Sequence, residues 1–390
     1  MTEKVFQCVS AREKEYLEFL KGMIELESYT PDKADVDAVG EYIRKFAEEH
    51  GFAVKVVPFE KAGNGLLITC NQDAPMLPVT FTGHMDTVHP RGTFAEPVFR
   101  EEDGKFFGPG VQDMKGGIVV GLLAMQALMD AGYRDRPLKL VLIGDEELSE
   151  GLSGEAGKDF IRDSARGSAA AITLEGTGDE QRITVGRKGS IRYRVHVKGK
   201  ASHAGSAYNK GISAIKEAAH KILNIEAASV QEQITYNCGL LKAGTSPNTV
   251  PENAEFTLYN RYWTMAQRQE IRDHVEGILA HSYLPGTVTD FEIIGERPPM
   301  EPTESNRALC SHIMRISEKY GICEGMHEHL QMSGSDAAYT TMAGAPSVCS
   351  MGPVGAGAHS TREFIYIDSV ARRAKLMAAV VTELPEAFGK

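Results

Sequence analysis

Paired cysteines are absent from this sequence. The six present, Cys8, Cys70, Cys238, Cys310, Cys323 and Cys349, are scattered through 390 residues, and none forms a C-x-x-C pair. That spacing excludes a disulfide scaffold, and a reducing cytoplasm is the simplest setting. A basic surplus is absent as well. Lys and Arg number 42 against 53 Asp and Glu, giving a net charge of −11. Nucleic acid, whose phosphates need basic patches, is thereby excluded as a partner. Anionic small substrates are not, because a binding site is local and net charge is not. No stretch approaches 18 uninterrupted apolar residues, so no membrane association is expected. The first twenty residues lack the apolar core of a secretory signal. Internal repeats and low-complexity tracts are missing too.

What is present suits a soluble globular protein. Hydrophobic residues make up 42% and charged residues 24%, enough for a substantial core. The length predicts two domains. Apolar spacing of three and four predicts helices over 11–27 and 35–50, and again over 117–131, stopped by Gly132. Between and after them lie β-rich runs, "FAVKVVPF", "GLLITC", "LPVTFTG", "LKLVLIG" and "AAAITLEG". Strands alternating with helices predict an α/β domain whose mixed sheet is flanked by helices. The pattern changes after Ile183. "SIRYRVHVKG" alternates with period two, as a half-exposed strand does, and further strands and helices continue to about 294. This reads as an inserted α+β domain over 186–297. "GERPPMEPTES" leads back, and residues 1–185 and 298–390 form one discontinuous domain.

The ionisable residues fall in a pattern. His84 and Asp86 follow the strand in "VTFTGHMDTV". Asp113 sits in the glycine-rich turn "GPGVQDMKGG". Asp145, Glu146 and Glu147 follow "LKLVLIG", Glu175 ends "AAITLE", and His359 lies in "GAGAHSTREF". In an open α/β sheet, ligands bind outside the carboxyl ends of the strands. Several carboxylates gathered there repel one another unless something positive sits among them. Two histidines with carboxylates and no cysteine suit zinc and similar divalent ions. Two ions about 3.5 to 4 Å apart, sharing one carboxylate, would set up metal-assisted hydrolysis. His84 can ligate a metal while Asp86, on the same face, accepts its other ring N–H. Of Glu146 and Glu147, one can bind metal while the other acts as general base.

Blander readings exist for each residue taken singly, since a lone histidine or acid is more often structural or solvated. Five such positions at strand ends are hard to explain by sheet packing. "GPGVQDMKGG" is a poor phosphate loop, because Asp113 stands where the dinucleotide fingerprint needs glycine and would repel phosphate, and G-K-[ST] is missing. "HEH", residues 327–329, reads as surface.

Together "GHMDTV", "GPGVQDMKGG", "GDEE", "TLEG", "ASHAG", "SPNTVPENAEF", "SGSDAAYTTMAGAPSV" and "GAHSTREF" resemble the dizinc metallopeptidases that include glutamate carboxypeptidase (carboxypeptidase G), peptidase T, aminoacylase and succinyl-diaminopimelate desuccinylase. The matching stretch covers about residues 80–365. The resemblance implies that Asp113 bridges two metals, that His84 and Glu175 complete one site, and that Glu147 and His359 complete the other. It implies Glu146 as general base, Asp86 as the residue holding His84, and a cis peptide at Asp113–Met114. It gives the inserted domain the role of a lid and dimerisation domain. There His203 would stabilise an oxyanion, and Asn248 and Arg261 would hold the substrate's carboxylate end. Gly334 and Ser335 would form a substrate-contacting turn.

The function so implied is a two-metal hydrolase, with zinc at the metal sites or cobalt or manganese sharing the ligands. It would cleave, in the manner of a carboxypeptidase, an amide bond next to a free carboxylate in short peptides or N-acyl amino acids, with a Glu-like C-terminal residue as one option. The alternatives are an N-acyl (acetyl or succinyl) amino acid deacylase, a di- or tripeptide aminopeptidase, and a non-catalytic metal-binding scaffold on the same fold. Glu146 discriminates against the last, since a dead homologue can lose its base while keeping its ligands. The expected partners are substrate and a second copy of the chain, in a homodimer through the lid domain.

Overall fold

A computed structural model describes residues 1–149, 151–386 and 388. The chain forms two compact units. The first comprises Met1–Gly186, Pro302–Gln331 and Ser335–Lys390; the second comprises Arg187–Glu301 and Met332–Gly334. The strand Arg182–Arg187 pairs with His327–Gln331, which carries the first unit to Gly186. The bridge between Arg187 and Met300 extends the second unit past the end of the strand Val288–Arg297.

The first unit is built on a six-stranded mixed sheet. Its order is Ala53–Val57, Gly63–Cys70, Leu138–Gly144, Val79–His84, Ala170–Thr173 and Ser347–Val348. Val79–His84 runs parallel to both of its neighbours, so the carboxyl ends of three strands lie side by side. Every residue of Val79–His84 is buried, as a strand covered on both faces requires. The helix Gly116–Ala131 has no polar stripe and is buried almost throughout, the pattern of a central helix. The stretch Val111–Ala131 is long and apolar enough to cross a membrane, but 89% of its apolar window is buried in the protein. Gly117 lets this helix start against the sheet, since a Cβ there would stand 1.9 Å from the carbonyl oxygen of Leu174.

Some elements differ from the periodicity reading. The first helix spans Thr2–Glu25, longer at its start, because Val5 and Val9 continue the buried stripe of Tyr16, Phe19, Leu20 and Met23. The helix Glu155–Ala165 was not anticipated; its buried face is only Gly157, Ile161 and Ala165, too small-sided to stand out as an apolar stripe.

The second unit has a four-stranded antiparallel sheet, ordered Thr235–Ala243, Asn253–Tyr262, Gly189–Lys198 and Val288–Arg297. Ile191, Tyr193, Val195, Val197, Phe256 and Leu258 pack with the helices Ala214–Glu226 and Met265–Ala280 in one core. Arg192, Arg194, Tyr259 and Arg261 alternate with them and face the other way.

Candidate active site

His84 is the last residue of its strand and is 1% exposed. Its Nε2 lies 3.1 Å from Asp113 Oδ1 and 3.9 Å from Glu175 Oε2. The other oxygen of the same carboxylate, Asp113 Oδ2, lies 3.2 Å from His359 Nε2. His359 Nε2 is also 3.3 Å from Glu147 Oε2. The structure thus gathers His84, Asp113, Glu147, Glu175 and His359 from five separate segments. They form two halves, each a histidine with a carboxylate, joined by the two oxygens of Asp113. Donor atoms of His84, Asp113 and Glu147 lie within 4.8 Å of one another.

The electrostatics follow from this crowding. Burial alone would lower the pKa of His84, but hydrogen bonds to Asp113, Asp86 and Glu175 raise it well above its ordinary value. Burial works to raise Asp113, yet His359 and His84 hold it far below the carboxylate range. Burial pushes Glu147 up to about 8, against the hydrogen bond from His359. Glu175 is raised by burial and then by the charge of Asp113. Hydrogen bonds to Asp113 and Glu147 raise His359 to about 10. Each imidazole proton here does what a bound cation would do, compensating carboxylates that are too close to ionise alone.

The donor set fits two divalent ions. Imidazole nitrogens and carboxylate oxygens are zinc ligands, and a carboxylate that turns one oxygen to each half has the form of a bridge. Glu147 Oε1 is buried without a hydrogen-bond partner among the described residues. A buried, unsatisfied carboxylate oxygen is costly, and a cation would satisfy it.

Asp86 plays a wider part than holding a ring. His84 Nδ1 is 3.0 Å from the main-chain oxygen of Asp86 and 3.4 Å from its Oδ1, so the main chain is the nearer acceptor. The Asp86 carboxylate accepts the backbone N–H groups of Glu146 and Glu147, each at 3.2 Å, and the Thr30 hydroxyl at 2.8 Å. It therefore ties the His84 strand end to the short helical turn Glu146–Leu148. Glu146 is 7% exposed. The Asp113–Met114 peptide is cis.

Glu363 was not singled out in the sequence. It is 1% exposed and accepts the backbone N–H groups of Gly110 at 3.0 Å, Gln112 at 2.8 Å and Asp113 at 2.9 Å. His89 Nε2 lies 3.4 Å away. The Gln112 side chain in turn accepts the N–H of Ala358 at 3.2 Å. The loops carrying Asp113 and His359 are thus stitched together. The available signal was a second chemical residue in "GAHSTREF", four places after His359.

The remaining candidates are carried by other segments of the chain. In the second unit, His203 Nδ1 accepts the N–H groups of Gly205 and Ser206, both at 3.1 Å. A ring nitrogen that accepts is unprotonated, so its proton sits on Nε2, which becomes a donor. Asn248 is beside it, its main-chain oxygen accepting the N–H of Ala204 at 2.9 Å. Arg261 stacks over Tyr259 at 4.9 Å and has no acid partner among the described residues. Gly334 accepts from Arg187 at 3.0 Å. Ser335, in the first unit, is 1% exposed and its hydroxyl accepts the N–H of Ala337 at 3.3 Å, so that side chain is engaged internally.

Residues 80–383 match the model of peptidase family M20/M25/M40. Carboxypeptidase G2 of a Pseudomonas species is 27% identical over 97% of this chain and 92% of its own length. Succinyl-diaminopimelate desuccinylase of Sulfurimonas denitrificans is 30% identical over 67% of this chain and 72% of its own. Among solved structures, the aminopeptidase PepT of Bacillus cereus superposes with a TM-score of 0.77, at 21% identity, over 95% of this chain and 98% of that one.

Proposed function

The chain belongs to peptidase family M20/M25/M40 and is a hydrolytic enzyme, and on that premise we propose that it cleaves an amide bond next to a free carboxylate in short peptides or N-acyl amino acids. The observation that carries this reading is the pair of histidine–carboxylate halves joined through Asp113, with Glu146 fixed beside them by Asp86. His84, Glu175 and Asp113 would hold one divalent ion, and Asp113, Glu147 and His359 a second, with zinc the ion we assign. Such ions, when bound, polarise a carbonyl and acidify water. Glu146 would take the proton from the attacking water and return it to the leaving amine. His203, its Nε2–H set by the two bonds at Nδ1, would donate to the oxyanion. Asn248 and Arg261 would hold the substrate's free carboxylate, the guanidinium supplying a two-pronged donor.

We take the second unit as the lid and dimerisation domain. Val288, Phe291, Ile293 and Ile294 are exposed on its edge strand Val288–Arg297, which supports a homodimer. All six cysteines are free, in keeping with a cytoplasmic setting.

A second reading, deacylation of N-acetyl or N-succinyl amino acids, is supported by the likeness to the desuccinylase. One substrate panel separates the readings. It pairs dipeptides and N-acyl amino acids with their C-terminally amidated twins, using zinc-reconstituted enzyme. Cleavage of the free-carboxylate members alone is expected, and the favoured acyl or aminoacyl group then decides between peptidase and deacylase. Equal cleavage of the amidated twins would overturn the carboxylate requirement and point to an aminopeptidase.

A further inference from the structure

Asp145 stands between the strand Leu138–Gly144 and Glu146, and it is 0% exposed. Its side chain turns forward along the chain. Oδ2 accepts the backbone N–H groups of Leu152 at 3.0 Å and Ser153 at 2.7 Å, and Oδ1 accepts the Ser153 hydroxyl at 2.9 Å. These three bonds close a loop whose first residues are Glu146 and Glu147. The loop needs such a closure. Its regular part is the three-residue turn Glu146–Leu148, and so short a helix is not stable by itself. Ser149, which follows, sits in the left-handed region at φ 56°, uncommon for a residue with a side chain.

Room for the closure comes from Gly157, on the helix Glu155–Ala165. A Cβ there would stand 2.0 Å from Ser153 Oγ and 3.4 Å from Ile143 Cδ1. The hydroxyl that binds Asp145 therefore occupies the space a side chain at 157 would take. At the near end of the same turn, Asp86 accepts the N–H groups of Glu146 and Glu147. Glu146 is thus held twice: its own backbone is bonded to Asp86, and the loop that continues from it is tied back by Asp145. None of the three bonds to Asp145 depends on its charge. An asparagine carbonyl can accept both N–H groups while its NH₂ donates to the Ser153 hydroxyl.

We infer that Asp145 is a positioning residue for Glu146, closing the loop onto Leu152 and Ser153 so that the base stays where it meets the attacking water. The inference rests on the reading of Glu146 as the general base. A base acts only within hydrogen-bond reach of the proton it takes, and a misplacement of about 1 Å can cost roughly 10² in rate.

The test is a double-mutant cycle on the zinc-loaded full chain, with kcat, KM and zinc content measured on the best substrate of the panel. Asp145→Ala should lower kcat by about 10- to 100-fold with KM within about twofold and zinc unchanged. Asp145→Asn should recover most of that loss. In a Glu146→Gln background, Asp145→Ala should cost less than about twofold, because a base already removed cannot be misplaced. An equal loss in both backgrounds would mark Asp145 as structural only and overturn the inference. So would an unchanged kcat, a rise in KM in place of the fall in kcat, a loss of zinc, or an Asn variant as impaired as the Ala variant. If Asp145→Ala does not fold, Ser153→Ala takes its place in the cycle. A smaller loss that vanishes in the Glu146→Gln background then supports the inference, and no loss or an additive one overturns it. Glu146→Gln turning over at the unchanged rate would instead remove the base itself, a different result from failure at Asp145.

Discussion

The carboxylate of Glu363 accepts the backbone N–H of Asp113 at 2.9 Å. Two further N–H groups of the same turn, from Gly110 and Gln112, point at it, so a buried negative charge fixes the backbone of the residue that faces both histidines. Outer partners of this kind typically govern metal affinity by about 10- to 100-fold. Glu363→Gln puts a donor group against N–H donors, and zinc affinity should fall by about that range in a chelator competition titration. Unchanged affinity would show that the turn holds without Glu363.

His203 should affect turnover and not metal content. Its Nδ1 is occupied by two backbone N–H groups, leaving only Nε2–H to act on substrate. His203→Ala should lower kcat by about 10² to 10³, the loss typical of one oxyanion donor, with zinc per chain the same by atomic absorption. A loss of zinc would place His203 among the metal-holding residues.

Stability of the second unit should depend on a pair absent from the sequence reading. Glu217 and Lys221 are one turn apart, 3.1 Å from each other and without exposed side-chain surface. Lys221 also donates to the carbonyls of Ile278 and Leu279, and Glu217 accepts the N–H groups of Tyr283 and Leu284. Removing one member strands a buried charge, so Glu217→Ala should cost about 3 to 5 kcal/mol. The single tryptophan, Trp263, lies in this unit, and its fluorescence in a denaturant titration reads the loss directly. A midpoint close to that of the unchanged protein would contradict the pairing.

One pH effect follows from His312. Its Nε2 lies 3.3 Å from the Val380 carbonyl and its Nδ1 accepts from Arg315 at 3.0 Å. Burial lowers its pKa, and the Arg315 charge adds to that against the Val380 bond. The folded state therefore favours the neutral ring. The contribution is present above the unfolded value of about 6.5, and it declines as pH falls toward the lower folded-state pKa. Tm should drop between pH 7 and pH 5, and His312→Gln should drop less over the same range. Equal drops would remove His312 as a cause.

Much of the metal cluster was legible because its residues follow apolar runs, and a strand end is a place the sequence marks. His84, Glu147 and Glu175 could be placed beside one another on that basis. Asp86 was legible as a companion of His84, but its bonds to Glu146 and Glu147 were not, since they join segments 60 residues apart in the chain. Glu363 was hidden for the same reason; its partners lie about 250 residues earlier. The helix Glu155–Ala165 escaped notice because two of its three buried residues are Gly157 and Ala165, which carry almost no apolar signal.

The most direct test of the account is Glu146→Gln. The substitution keeps shape and removes the base. With the zinc content of the unchanged protein retained, turnover of the best panel substrate should fall by about 10² to 10⁴, the usual worth of a positioned general base. A variant that keeps its zinc and turns over at the unchanged rate would contradict the assignment of Glu146 and with it the proposed chemistry.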